Sequence, residues 1–143
     1  MLIGVPKEIK NHEYRVGLTP ESVAELISIG QSVIVETGAG LGIGAADAEY
    51  SNAGAQIAKT AADVFARADM IVKVKEPQAV ERAMLRPGQI LYTYLHLAPD
   101  PAQTKDLIKS GAVCIAYETV TRDGGARAQV DGRLYDAHAT WQP

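Results

Sequence analysis

The chain has 143 residues, 47% of them apolar and 22% charged, which is the length and composition of one globular domain able to bury a real core. A net charge of -3 with no block of like charges argues against nucleic acid or an anionic membrane as the main partner. No run approaches the roughly 18 apolar residues that a membrane-spanning helix needs.

Residues 2–5 read as a short strand, and proline and charge arrive directly behind it at Pro6, Lys7 and Glu8. That apolar run is too short for a secretion signal, so a cytoplasmic location is expected. Thr19-Pro20-Glu21 then supplies a helix cap, a proline suited to the first helical position and a first-turn acid. Val23, Leu26 and Ile27 share one helical face, and Gly30 is a natural stop. Residues 32–36 are rich in β-branched side chains and predict a strand. Gly38, Gly40, Gly42 and Gly44 punctuate the loop after it, followed by a short helix over 47–53 and a short strand over 55–58.

Thr60 and Asp63 have capping-box spacing and open a helix through Ala66. Residues 70–74 form an apolar strand interrupted by Lys73, residues 78–85 a helix, and Gly88 marks the turn into a strand over 89–95. Asp100-Pro101 repeats the cap-and-proline signal, and Gly111 ends that helix. Residues 112–117 are the last clear strand. They contain the only cysteine, Cys114, which excludes an internal disulfide and reads as a buried, inert thiol in a reducing compartment. From Thr121 onward neither helical nor strand period is visible, and a loosely ordered tail is expected. Strands separated by helices of these lengths imply an α/β fold, a mainly parallel sheet with helices on both faces.

In such a sheet, ligands bind beyond the carboxyl ends of the strands, because the following loops gather there. After the first strand come Lys7, Glu8, Lys10, His12, Glu13 and Arg15. Lys75 and Glu76 follow the strand over 70–74, His96 follows the strand over 89–95, and Glu118 follows the last. Arginine is a two-toothed clamp for a carboxylate, lysine a point charge for a carboxylate or carbonyl oxygen, and histidine exchanges protons near neutrality. The set suits a small anionic substrate, with Arg15, Lys75 and His96 as candidate site residues. Each also has a plainer reading: Arg15 as a solvated loop charge, Lys75 paired with Glu76, His96 buried between Leu95 and Leu97, and Glu118 as a cap, outside the catalytic set. The glycine loop invites a phosphate-binding reading, but its spacing fails, since Ile43 stands where a third glycine is required. It is expected to be a turn or lid, with no cofactor site and no metal site in this chain.

Several phrases taken together resemble the alanine dehydrogenase and nicotinamide transhydrogenase superfamily. They are Ile3-Gly4-Val5-Pro6-Lys7-Glu8 with Arg15-Val16 and Leu18-Thr19-Pro20, and Val35-Glu36-Thr37-Gly38-Ala39-Gly40. Ile71-Val72-Lys73-Val74-Lys75-Glu76-Pro77, Tyr92-Thr93-Tyr94-Leu95-His96-Leu97-Ala98 and Ile115-Ala116-Tyr117-Glu118-Thr119-Val120 point to its alanine dehydrogenase branch. The resemblance implies a Rossmann-like or flavodoxin-like substrate domain and the reversible reaction of L-alanine, NAD and water to pyruvate, ammonium and NADH. It implies that Arg15 holds the substrate carboxylate, Lys75 contacts the carboxylate or carbonyl end, and His96 is the acid/base group. Homo-oligomers, often hexamers, are implied as well.

The resemblance runs to about Gly125, and residues 126–143 match nothing expected of the family. This predicts a substrate domain over 1–125, a divergent tail over 126–143, and a frameshifted or truncated reading frame whose product is inactive alone. NAD belongs to the full-length family, and its glycine fingerprint is missing here. The alternatives are the corresponding domain of a proton-translocating transhydrogenase, against which the phrase Tyr94-Leu95-His96-Leu97 speaks, and a non-enzymatic pyruvate-binding module or remnant.

Overall fold

The computed structural model describes residues 1–120 and, beyond them, the backbone of one short hairpin. Six strands come in chain order: β1 (Leu2–Val5), β2 (Ser32–Glu36), β3 (Gln56–Ala58), β4 (Met70–Val72), β5 (Ile90–Thr93) and β6 (Val113–Ala116). Five helices separate them: α1 (Pro20–Ser28), α2 (Asp47–Asn52), α3 (Ala61–Arg67), α4 (Ala79–Arg82) and α5 (Pro101–Ser110). The hairpin pairs β7 (Gln129–Val130) antiparallel with β8 (Arg133–Leu134). The boundary expected at residue 125, and the loosely ordered tail apart from this hairpin, lie outside the described residues.

The helix ends follow local chemistry. Thr19 Oγ1 accepts from the Ser22 N–H at 3.4 Å, Thr60 Oγ1 from Asp63 at 3.1 Å and Asp100 Oδ1 from Gln103 at 2.9 Å. Each cap satisfies an amide that the first turn cannot. Gly111 ends α5 at φ 69°, a conformation that glycine adopts without steric cost. The helix predicted over 78–85 is shorter. Past Arg82 the bonds become Met84 N–H to Glu81 O and Leu85 N–H to Arg82 O, so the chain tightens into turns before Pro87 and Gly88.

Two predicted strands also stop early, for one reason. The Val74 N–H donates to Glu8 Oε1 at 2.7 Å, and the Leu95 N–H donates to Glu118 Oε1 at 3.1 Å. A carboxylate from a neighbouring loop thus takes each amide where the ladder would otherwise continue.

All five neighbouring pairs in the sheet are parallel, in the order β3-β2-β1-β4-β5-β6. Alternate residues divide between two cores. Ile3, Val5, Val33 and Val35 pack with Val23 of α1 and Tyr50 of α2 on one face. Ile34, Ile71 and Leu91 pack with Val64 and Phe65 of α3 and Leu107 of α5 on the other. Gly4 lies under α3, where a Cβ would stand 2.6 Å from Ala68 Cβ and 2.7 Å from Val64 Cγ1.

The strand order reverses between β1 and β4. From β1 the chain winds outward through β2 and β3, then returns to β4 on the other side. The loops leaving β1 and β4 therefore diverge and leave a crevice at the carboxyl edge. Arg15 is on the first loop and Lys75 on the second.

Candidate active site

Arg15 is fixed by its own loop. Its Nε donates to Glu13 Oε1 at 2.9 Å, its Nη2 to Oε2 at 2.7 Å, and its backbone N–H to Oε1 at 2.9 Å. The Glu13 side chain is 7% exposed and that of Arg15 is 45% exposed, so the guanidinium stands at the rim over a mostly covered carboxylate. Hydrogen bonds from Arg15 hold the Glu13 carboxyl below its ordinary value against the opposing effect of burial, and the charge of Lys75 acts in the same direction. Glu13 is thus the anion that Arg15 pairs with, within range of the Lys75 charge.

Lys75 leaves the end of β4 with its carbonyl accepting from the Thr93 hydroxyl at 2.8 Å, and Thr93 is fully buried. The ammonium lies 4.9 Å from the ring centroid of Tyr94, a cation–π contact. Glu76, the sequence partner considered for Lys75, pairs instead with Lys10.

His96 is exposed rather than buried between its leucine neighbours, and only Leu95 turns inward. Its φ is 47°, in the left-handed region, and its N–H donates to Glu118 Oε1 at 3.1 Å. The imidazole stacks on the Tyr94 ring at 5.5 Å between centroids and 17° between planes, with Nδ1 3.0 Å from the tyrosine hydroxyl. Tyr117 packs against Tyr92 and Tyr94 at 5.7 and 6.2 Å, and its hydroxyl donates to Val74 O at 2.6 Å.

The three residues singled out from the sequence therefore stand along one edge of the sheet. Tyr94 joins Lys75 to His96, and Glu13, paired with Arg15, lies within range of the Lys75 charge. Neither role is marked locally: Glu13 is visible in the sequence only as a polar residue after a strand, and Tyr94 only by its alternation with Tyr92. Glu118, read from the sequence as a cap, does accept from the Leu95 and His96 N–H groups.

Behind this edge lies a buried ion cluster. Lys73, whose side chain is 1% exposed, sits 3.1 Å from Glu8 Oε2 and 2.7 Å from Glu81 Oε1. Glu8 Oε1 accepts from Val74, and Glu81 Oε2 from the Gln78 N–H at 2.7 Å. Burial pushes the Glu8 carboxyl up, opposed chiefly by the Lys73 ammonium. The cluster ties the loop after β1 to the end of β4 and to α4.

The glycine-rich loop closes on itself. Gly38 N–H donates to Asp47 Oδ1 at 2.8 Å and the Thr37 hydroxyl donates to Oδ2 at 2.5 Å, so a carboxylate occupies the place a phosphate would need. A Cβ on Gly42 would stand 2.0 Å from the Tyr14 carbonyl oxygen, so this loop meets the first one only through glycine. Between the two loops lies a concavity of about 570 Å³. Arg15 lines it, whereas Lys75 and His96 lie outside it. Glu13 lines the hollow with Arg15, and the Tyr94 contacts to Lys75 and His96 lie beyond it. Cys114 is half-buried, and burial pushes its thiol up, away from reactivity. Among the described residues no group of three or more His, Cys, Asp or Glu is arranged to hold a metal, and no helix is long and apolar enough to cross a membrane.

A family model described as alanine dehydrogenase/PNT, N-terminal domain, matches residues 4–130. The chain is 54% identical over 125 residues to an alanine dehydrogenase of Halomonas elongata, covering 87% of this chain and 34% of that protein. It is similar to the solved structure of an L-alanine dehydrogenase, with TM-score 0.84 and 49% identity, over 88% of this chain and 35% of that one. It is also similar to a transhydrogenase from Sinorhizobium meliloti, with TM-score 0.80 and 35% identity, over 87% of this chain and 37% of that one. The chain spans about a third of the length of these relatives. Fold and sequence agree, and the chain belongs to the alanine dehydrogenase/PNT N-terminal domain family.

Proposed function

We propose that this chain is the substrate-holding portion of an NAD-dependent L-alanine dehydrogenase, which interconverts L-alanine with pyruvate and ammonium. The observation that carries the reading is the placement of Arg15, Lys75 and His96 along one edge, with Tyr94 touching both Lys75 and His96 and Glu13 holding Arg15. Arg15 would meet the carboxylate of the keto acid, and Lys75 its carboxylate or carbonyl oxygen. Two cations offset the charge of pyruvate and polarise its carbonyl for attack by ammonia. His96 would give and take the proton as the carbinolamine forms and collapses. The transhydrogenase structure shares the fold, and the exposed imidazole at the edge favours the dehydrogenase reading.

NAD supplies the hydride acceptor in that reaction. The glycine loop does not fit it, because Asp47 already takes the Gly38 amide and would repel a phosphate. Assembly into homo-oligomers belongs to the whole enzyme. The chain alone is proposed to bind the acid without turning it over, in the cytoplasm.

Pyruvate should raise the thermal unfolding midpoint of the chain, and Arg15→Ala or Lys75→Ala should abolish the effect. Loss of one charged hydrogen-bonding partner costs about 1.5–3 kcal/mol, roughly ten- to hundredfold in Kd. No stabilisation of the unsubstituted chain by pyruvate, or undiminished stabilisation in both variants, contradicts the proposal.

A further inference from the structure

Tyr94 is the one described side chain that touches both Lys75 and His96. It follows β5, alternating with the buried Thr93 and Leu95, so Tyr94 shares a face with Tyr92. Its ring face carries the Lys75 ammonium at 4.9 Å, its plane stacks on the imidazole, and its hydroxyl stands 3.0 Å from Nδ1. Glu118 meanwhile anchors the backbone N–H groups of Leu95 and His96. With the backbone held, the remaining freedom of the imidazole is rotation about its own side-chain bonds, and Tyr94 removes it.

A phenol facing Nδ1 permits two proton arrangements. Either the hydroxyl donates to a bare Nδ1, or Nδ1–H donates to the phenol oxygen. In the first, the neutral ring carries its proton on Nε2 and can be protonated only at the nitrogen the phenol already occupies. The hydroxyl must then turn away. In the second, the bond survives protonation unchanged, because the imidazolium also carries Nδ1–H. Only this arrangement leaves Nε2 able to take up and release a proton while the ring stays in place.

We infer that Tyr94 is a positioning residue: its phenol oxygen accepts from Nδ1–H of His96 and leaves Nε2 as the working nitrogen, while its ring carries the Lys75 ammonium. The use of Nε2 rests on the acid/base role proposed for His96, but the tautomer is a property of this chain by itself. Tyr94 therefore couples the polarising cation to the proton-transferring group, and one ring sets the spacing of both.

The test is long-range proton–nitrogen correlation spectroscopy on the full chain with ¹⁵N-labelled histidine, in alkaline buffer. His96→Gln assigns the signal. The unsubstituted chain should show a protonated Nδ1 and a bare Nε2. Tyr94→Phe keeps the ring and the Lys75 contact but removes the oxygen, so the signal should move to the Nε2–H form that free histidine favours. His12, whose Nδ1 lies 3.3 Å from the Tyr14 hydroxyl, is the internal control and should be unchanged, as should the backbone amide spectrum. An Nε2–H tautomer in the unsubstituted chain, or Nδ1–H retained in Tyr94→Phe, overturns the inference. A correct tautomer in a chain that ignores pyruvate supports the inference and contradicts the proposed function. A wrong tautomer in a chain that binds pyruvate does the reverse.

Discussion

At the scale of single residues, the tension at His96 is between backbone conformation and side-chain placement. A φ of 47° is uncommon for any residue with a Cβ, and histidine is among those that tolerate it. The turn brings two successive N–H groups onto one carboxylate, with Leu95 at 3.1 and 3.4 Å from the two Glu118 oxygens and His96 at 3.1 Å from Oε1. Hydrogen bonds to a charged acceptor of this kind contribute about 1.5–3 kcal/mol each. Glu118→Ala removes both acceptors, so amide exchange of Leu95 and His96 should quicken at least about tenfold. Glu118→Gln keeps an oxygen in place and should restore most of the protection. Unchanged exchange in Glu118→Ala would show that the turn is held by something else.

At the scale of elements, the buried cluster joins the loop after β1 to the end of β4 and to α4. Glu8 and Lys73 are 65 residues apart, and two carboxylates surround one ammonium. Removing one partner of a buried charge cluster strands the others and costs about 3–5 kcal/mol. Lys73→Met should lower the urea midpoint accordingly. The pH dependence carries the sign of a raised carboxyl. The folded state holds the Glu8 proton more tightly than the unfolded chain does, so folding loses stability as pH rises from the ordinary carboxylate value through the raised one. Without Lys73 that penalty grows. The deficit of Lys73→Met against the unsubstituted chain should therefore be smaller at about pH 5 than at about pH 7.5. A deficit that stays constant or grows on acidification would contradict this account.

The same comparison shows what the sequence made legible. The caps at Thr19, Thr60 and Asp100, the stop at Gly111 and the strand cores were readable because their causes lie within a few residues. The early ends of β4 and β5 were not, because Glu8 and Glu118 reach them from other loops. Lys73 looked like an interruption in an apolar run, since its two carboxylates adjoin it only in the folded chain. Arg15, Lys75 and His96 could be singled out by their positions after strands and by family resemblance. The contacts of Tyr94 with Lys75 and His96 are a product of the sheet order.

For the molecule as a whole, that order is decisive. With β1 and β4 adjacent at the centre, loops far apart in sequence but neighbours in space carry Arg15 and Lys75, and β5 and β6 add the imidazole and its anchor. Helices on both faces leave the carboxyl edge as the place where these polar loops collect. The central claim is that this edge, rather than the hollow between the first loop and the glycine loop, receives the acid. Titrating the ¹⁵N-labelled chain with pyruvate and following backbone amide shifts tests it most directly. The account predicts that the amides of Arg15, Lys75 and His96 move together and report one dissociation constant. Shifts confined to residues around the hollow, with Lys75 and His96 unmoved, would contradict it.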